Sequence, residues 1–252
     1  MQILRLKMNN KKIIQVFIYL TVFSIAMGYL ESAVVIYLRM IFYPEGFMFP
    51  LKAIDQHTAI VEILRETATL IMLAGAGIIA GRTKTEKFGF FLFCFAVWDI
   101  FYYVFLKLLI GWPESLFTWD ILFLIPVTWV GPVIAPVINS MTMIALAGLI
   151  SYFTDKNLSV QIKKTEWLLL ILGSLVIIVS YTLDYMNFML GRFNVSDFFD
   201  PSMQSEILEN ATGYIPQEFP WCIFIIGESI LIISVFLFFY RNRKIITKKI
   251  YT

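Results

Sequence analysis

The sequence predicts an all-α integral membrane protein, a bundle of six transmembrane helices that form one polytopic domain over residues 1–252. Of its residues 59% are hydrophobic and only 15% are charged, whereas soluble domains are about 25% charged. So few charges would not cover the surface of a soluble protein of this size. The second observation is that Lys and Arg are concentrated in alternate connections between the apolar segments.

Six apolar segments have about the length of 20 residues that a helix needs to cross the hydrocarbon of a bilayer. They do not alternate apolar and polar residues as the strands of a membrane barrel would. The first runs for about 30 residues, well beyond the 7–15 residues of a signal-peptide core, and is therefore predicted to be a retained helix. The predicted helices span about 13–42, 59–81, 88–111, 121–152, 166–190 and 221–240.

The basic residues predict the orientation of the bundle. Fifteen of the 20 Lys and Arg residues lie before the first segment, in the second and fourth connections, or after the sixth segment. Cytoplasmic connections carry such an excess, so both termini are predicted to be cytoplasmic, in a plasma or bacterial inner membrane. The exterior connections are acidic and include Asp120. The longest, residues 191–220, is predicted to hold a short helix that ends at Gly213.

Five carboxyl residues lie inside the apolar segments at a similar predicted depth. An ionised carboxylate is costly in hydrocarbon and must be protonated or paired. Intramembrane ionisable residues usually face the interior of a bundle and mark functional sites. The candidate ligand- or ion-binding residues are therefore Glu31, Glu66, Asp99, Asp184 and Glu228.

The shared depth follows from the spacing between acidic and basic residues. Glu31 precedes Arg39 by eight positions and Asp99 precedes Lys107 by eight, which is about 12 Å along a helix. Arg39, Lys107 and Arg65 are the predicted charge partners. If they serve only to fix the packing of helices, the acidic layer is structural.

Three other residues in these segments have polar side chains close to the acidic layer. Tyr102 and Tyr103 follow Asp99 by three and four positions, on the same helix face, and are further candidate binding residues. Glu62 falls in the first turn of the second helix, where a carboxylate is expected to interact with the helix dipole alone.

The fourth segment carries no charge and contains three prolines. Pro126, Pro132 and Pro136 would each remove a helix hydrogen bond, which predicts a kinked or partly unwound helix. Carbonyl groups freed in this way must face protein or a wet cavity. Asn139 extends the polar trace beyond the kink.

These observations favour binding or transport of a small cation or protonatable solute in a carboxylate-lined cavity within the bilayer. The lipid bilayer is itself the first predicted partner. One alternative is a membrane-embedded enzyme that uses paired carboxylates or a carboxylate-bound metal on a lipid-phase substrate. The other is a non-catalytic accessory subunit. The sequence identifies no cofactor and no nucleic-acid motif, and a bundle of six helices is compatible with a homo-oligomer.

Overall fold

The computed structural model describes residues 2–52, 54–125, 127–156, 160–200 and 202–250. Within these ranges it contains seven α-helices, six of which are long and apolar enough to cross a membrane. This length and composition indicate a multi-pass membrane protein. The helices are α1 (Gln2–Phe42), α2 (Gln56–Ala80), α3 (Lys84–Ile110), α4 (Ile134–Asp155), α5 (Lys164–Leu190), α6 (Gln204–Ala211) and α7 (Trp221–Ile250).

The fourth predicted helix is wrong in its first third. Residues expected there form an antiparallel hairpin of β1 (Trp119–Phe123) and β2 (Trp129–Pro132), and α4 begins only at Ile134. Pro132 ends β2, and Pro136 lies in the first turn of α4, where a missing N–H costs no helix hydrogen bond. These two prolines therefore mark boundaries rather than a kink. Pro126 lies outside the described residues.

The hairpin can lie among the helices because its backbone groups pair with each other and with protein. Irregular or extended backbone at membrane depth is tolerated only where protein or a cavity surrounds it. Trp119 and Leu122 pack in a cluster with Tyr181 and Phe219, while Val130 packs against Tyr185. The hairpin thus forms part of the bundle wall.

Close contacts of small residues set the helix packing around α3, which packs against α1, α2 and α4. A Cβ atom on Gly28 of α1 would lie 3.0 Å from the carbonyl oxygen of Trp98, and one on Gly77 of α2 would lie 2.6 Å from the backbone nitrogen of Phe91. The Ser32 hydroxyl, one turn beyond Gly28, donates to the carbonyl oxygen of Tyr102 at 3.0 Å. Such close approach of backbones at small residues is typical of the packing between membrane helices.

A second close pair joins α5 and α7. A Cβ atom on Gly227 would lie 2.7 Å from a side-chain carbon of Ile177, and one on Gly173 would lie 2.7 Å from Leu231. At the amino end of α5, Arg241 of α7 donates to both carboxylate oxygens of Glu166 at 2.8 Å. The α5–α7 pair is therefore held both by backbone proximity and by a two-point ion pair.

The connections after α1, after α3 and after α5 meet at one end of the bundle, which we call the loop end. Gln56 at the start of α2 donates to Gln204 of α6 at 3.1 Å, and the rings of Phe49 and Tyr214 are 6.0 Å apart. The short helix predicted in residues 191–220 is confirmed as α6, which ends two residues before the predicted Gly213. The loop end therefore forms a packed cap.

Candidate functional site

A cavity of about 460 Å³ lies beneath this cap. Its walls come from α1, α2, α3 and the hairpin, and residues of the first connection and of α6 line its loop end. Most lining side chains are apolar or aromatic. Six of the eight charged ones lie on α1, α2 and α3, and the other two are Lys52 of the first connection and Asp120 of the hairpin. Glu31, Glu66 and Asp99 lie at matching levels, because each is 10 or 11 positions from the end of its helix nearest the loop end.

Arg65 organises the carboxylates of α1 and α2. Its Nη1 atom pairs with Glu31, while Nη2 and Nε lie 2.8 and 2.9 Å from Glu62 Oε2. The Thr69 hydroxyl also donates to Glu31, at 3.4 Å. Only a fifth of the Arg65 side chain is exposed, so the guanidinium group and the two carboxylates form a largely desolvated network.

Arg39 pairs with Asp120 of the hairpin rather than with an acid of the helices. Its Nη2 atom donates to Asp120 Oδ1 at 3.1 Å, and only 2% of the Asp120 side chain is exposed. The guanidinium carbon lies 3.7 Å from the ring centroid of Trp112 and 4.5 Å from that of Phe47. These aromatic faces and the carboxylate fix the position of the Arg39 side chain.

Burial and charge act in opposite directions on Asp120. Desolvation raises the pKa of this carboxyl group to about 6, against a lowering by Arg39 and smaller lowering contributions from the neighbouring Tyr103 and Tyr102 hydroxyl groups. Asp120 Oδ2 and Arg39 Nη1 are buried without a hydrogen-bond partner among the described residues. A polar group or water in the cavity would satisfy them.

Two cavity carboxyl groups differ from the others because they make no ion pair within the described part of the chain. Asp99 Oδ2 accepts a hydrogen bond from the Ser140 hydroxyl at 2.8 Å. Glu66 Oε2 accepts one from the backbone N–H of Leu124, just after β1, at 3.0 Å. Both are held by neutral donors. Arg65 is close enough to interact electrostatically with Glu66, but its ion pairs are with Glu31 and Glu62.

The structure brings seven of the predicted residues to this cavity. They are Glu31, Glu66, Asp99, Tyr102, Tyr103, Arg39 and Arg65. Tyr102 and Tyr103 follow Asp99 by one turn of α3, and their hydroxyl groups lie close to Asp120.

Two of the predicted carboxyl residues lie away from the cavity. Asp184 accepts hydrogen bonds from the Tyr214 hydroxyl at 2.6 Å and from the backbone N–H of Gln217 at 3.2 Å, so it anchors the cap to α5. Glu228 accepts a hydrogen bond from Thr142, between α7 and α4. Equal depth did not bring these acids to the cavity, because Asp184 is directed toward the cap and no described residue of α7 lines the cavity.

Lys107 is not a partner of a buried acid in this structure. Its Nζ atom donates to the carbonyl oxygens of Gly111 and Pro113 at 3.0 and 2.8 Å, which caps the carboxyl end of α3. Asn139 is also away from the cavity, and its Nδ2 atom donates to the Tyr181 hydroxyl at 2.8 Å.

Two charged residues of the cavity are not predicted from the sequence as site residues. Asp120 reads as a solvated loop acid, yet the hairpin buries it against Arg39. The position of Glu62 predicts an interaction with the helix dipole alone, yet Glu62 binds Arg65 and is 8% exposed. The spacing of three between Glu62 and Arg65 on one helix was the available signal for this pair.

The carboxylate groups do not form a metal centre in the described residues. No cluster of three or more His, Cys, Asp or Glu side chains has the arrangement of an ion site in this part of the chain. The guanidinium groups of Arg39 and Arg65 already occupy three of the five cavity carboxylates. Carboxylate-metal catalysis therefore gains no support from the geometry.

Comparisons with protein-family models, with curated proteins and with solved structures each gave no match to this chain.

Proposed function

We propose that this multi-pass membrane protein binds a small organic cation, or a solute that becomes one on protonation, in the cavity beneath the cap. The observation that carries the proposal is the charge balance of the cavity. Arg39 and Arg65 face five carboxyl groups. Lys52, a third basic residue on the lining, is exposed at the rim.

Glu66 and Asp99 are the two carboxyl groups left over by this pairing. Each lies in a largely apolar environment with only a neutral hydrogen-bond donor. An isolated carboxylate is costly there, so it gains most from a cation that arrives with the ligand. A protonated carboxyl group can fill the same position when the cavity is empty.

The cavity wall favours a ligand with an apolar body. The volume of about 460 Å³ falls in the range of small-molecule pockets, about 300–1,000 Å³. Trp98, Phe123 and Tyr185 are among the rings that line it. Aromatic faces attract ammonium groups, most strongly where water is excluded. An arylalkyl amine matches both the charge and the wall.

In the proposed orientation, with both termini cytoplasmic, the cap and the cavity face the exterior side of a plasma or bacterial inner membrane. The distribution of Lys and Arg supports this orientation. Binding is then the first step of transport. The second step, movement of the cation across the membrane, is tested by its uptake into proteoliposomes.

The binding proposal is tested with three probes that share a phenyl ring and differ in charge: phenethyltrimethylammonium, phenethyl alcohol and hydrocinnamate. The thermal unfolding temperature of the detergent-solubilised protein is measured with each. We expect stabilisation by the cation, less by the alcohol and none by the anion. Equal shifts with all three probes, or none with the cation, would refute the proposal.

Asp184→Asn is the matched control, since this partly buried acid lies outside the cavity. It is expected to lower the unfolding temperature of the free protein while leaving the shift produced by the cation unchanged.

A further inference from the structure

The wall of the cavity carries a second polar feature, away from Glu66 and Asp99 and nearer the loop end. It is the ion pair of Arg39, in the last turn of α1, with Asp120 of β1. A single hydrogen bond of 3.1 Å joins Nη2 to Oδ1. Both side chains are at least nine-tenths buried, and both line the cavity. We call these two residues the polar end of the cavity.

The ion pair leaves one donor and one acceptor unused. Arg39 Nη1 and Asp120 Oδ2 are buried without a hydrogen-bond partner among the described residues. The hydroxyl groups of Tyr102 and Tyr103 lie close to Asp120, yet neither makes a hydrogen bond to Oδ2. Buried polar atoms are nearly always paired. An unpaired donor beside an unpaired acceptor therefore needs a partner that the described part of the chain does not supply.

A partner that reaches both atoms must lie in the cavity. Arg39 forms part of the wall between the cavity and a smaller pocket of about 390 Å³, whereas Asp120 lines only the cavity. The rings of Trp112 and Phe47, 3.7 and 4.5 Å from the guanidinium carbon, hold Arg39 in place. The donor and the acceptor are therefore preorganised, which lowers the cost of binding a group between them.

The charges of the polar end favour a neutral partner. A cation placed against Asp120 would be repelled by Arg39, and an anion placed against Arg39 would be repelled by Asp120. The pair is neutral as a whole, so it suits a neutral group that both donates and accepts a hydrogen bond. A water molecule has this property, and so does a hydroxyl or carboxamide group carried by a ligand.

We propose that the polar end binds a hydroxyl or carboxamide group of the ligand, which donates to Asp120 Oδ2 and accepts from Arg39 Nη1. The inference rests on the proposed function, because it concerns the opposite end of the same bound cation. Arg39 lies eight positions beyond Glu31, about 12 Å along α1, and Glu31 is level with Asp99. An arylalkyl body can therefore lie between an ammonium group near Asp99 and a polar group near Arg39.

The polar end then determines which cations bind. An apolar group that enters it displaces water and leaves both buried atoms unpaired, which costs binding free energy. A site built to hydrogen-bond a substrate group rejects an analogue without that group far more strongly than an apolar pocket rejects a missing methylene group. Glu66 and Asp99 attract the charge of the ligand, while Arg39 and Asp120 select the polar group at its other end.

The test uses derivatives of phenethyltrimethylammonium that carry a hydroxyl, carboxamide, methoxy or methyl group at the para position of the ring. Their dissociation constants are measured by calorimetry at neutral pH, above the pKa of about 6 to which desolvation raises Asp120. The methoxy group accepts but cannot donate, and the methyl group does neither. We expect the hydroxyl or the carboxamide probe to bind the wild type at least about tenfold more tightly than the methoxy and methyl probes.

The double variant Arg39→Met, Asp120→Val removes both charges at once, so that no buried charge is left unpaired. It is expected to bind the four probes within about threefold of one another. Asp184→Asn, outside the cavity, is the matched control and is expected to keep the preference of the wild type.

A wild type that binds all four probes within about threefold of one another would overturn the inference, whether or not the double variant folds. A double variant that keeps the preference of the wild type would also overturn it, because the preference would then arise elsewhere. A methoxy probe that binds as tightly as the best probe would contradict donation to Asp120. If none of the four cations binds the wild type, the proposed function itself is refuted, and the inference with it.

Discussion

Replacement of Arg65 by Met tests whether its guanidinium group holds the carboxylates of α1 and α2 together. Met keeps much of the apolar volume and removes the charge. The substitution would leave Glu31 and Glu62 without the ion pairs that they make in the structure. Glu66, one turn beyond Glu62, adds a third carboxyl group to the same region.

The expected cost is at the lower end of the range for a broken buried ion pair. Loss of one partner from such a pair costs about 3–5 kcal/mol, because the remaining charge stays desolvated. The exposed fractions of the side chains are 20% for Arg65 and 11% and 10% for its partners. Screening at this exposure places Arg65→Met near 3 kcal/mol at neutral pH, a fall of about 6–12 °C in unfolding temperature.

Thermal unfolding in detergent micelles measures the effect. The triple variant Arg65→Met, Glu31→Gln, Glu62→Gln removes all three charges and is expected to recover most of the lost stability. Arg192→Met is the matched control, because this exposed arginine makes no ion pair with a described residue and contacts the carbonyl oxygen and ring of Phe188. The reasoning is refuted if Arg65→Met unfolds within about 2 °C of the wild type, or if the triple variant is no more stable than the single one.

Three other substitutions give separate checks. Glu166→Gln is expected to cost about 2 kcal/mol, because Arg241 binds both carboxylate oxygens, and an unchanged unfolding temperature would contradict this. Asp120 has a raised pKa, so the stability linked to its protonated form is complete below its ordinary pKa and is lost as the pH rises through about 6. Arg39→Met removes the charge that most lowers the pKa of Asp120, so the loss of stability should move to higher pH. Superimposable profiles of unfolding temperature against pH for the wild type and the variant would contradict this. Gly227→Val places a branched side chain against α5, where its Cβ atom alone would be 2.7 Å from a side-chain carbon. We expect a cost of about 1–3 kcal/mol, and a variant as stable as the wild type would contradict the close contact.

The six long helices could be predicted from the sequence because their signal is local. An uninterrupted apolar run fixes the length of a helix, and charged or capping residues mark its ends. The predicted ranges for α2 and α3 differ from the observed ones by at most four residues at either end. The depth of Glu31, Glu66 and Asp99 follows from the same positions, since the rise per residue is constant.

The hairpin could not be predicted from apolar composition. A short apolar run reads equally as a buried strand or as part of a helix. Proline residues within an apolar run predict a kink in a long helix, but proline also ends strands and begins helices. The burial of Asp120 depends on this hairpin and on Arg39, which is 81 positions away, so no local pattern reveals it.

The partners of the charged residues were also beyond the sequence. A spacing of eight residues separates an acid from a base on one helix by about 12 Å, too far for an ion pair. Each base therefore finds its partner elsewhere, as Lys107 does at the end of α3. Depth gives the level of an acid but not the direction that it faces, which is why Asp184 and Glu228 lie outside the cavity.

The most direct test of the uncompensated carboxylates is the affinity of the double variant Asp99→Asn, Glu66→Gln for matched probes. Both amides can still accept the hydrogen bonds of Ser140 and Leu124, so only the charge is lost. Two charges about 4 Å apart interact by about 4 kcal/mol at an effective dielectric constant of about 20, which bounds the loss at about 1,000-fold for each carboxylate that is removed.

The measurement compares dissociation constants for phenethyltrimethylammonium and phenethyl alcohol by calorimetry. The wild type is expected to prefer the cation by at least about tenfold, and the double variant should bind the two probes within about threefold of each other. A double variant that keeps the full preference of the wild type for the cation would contradict the central claim.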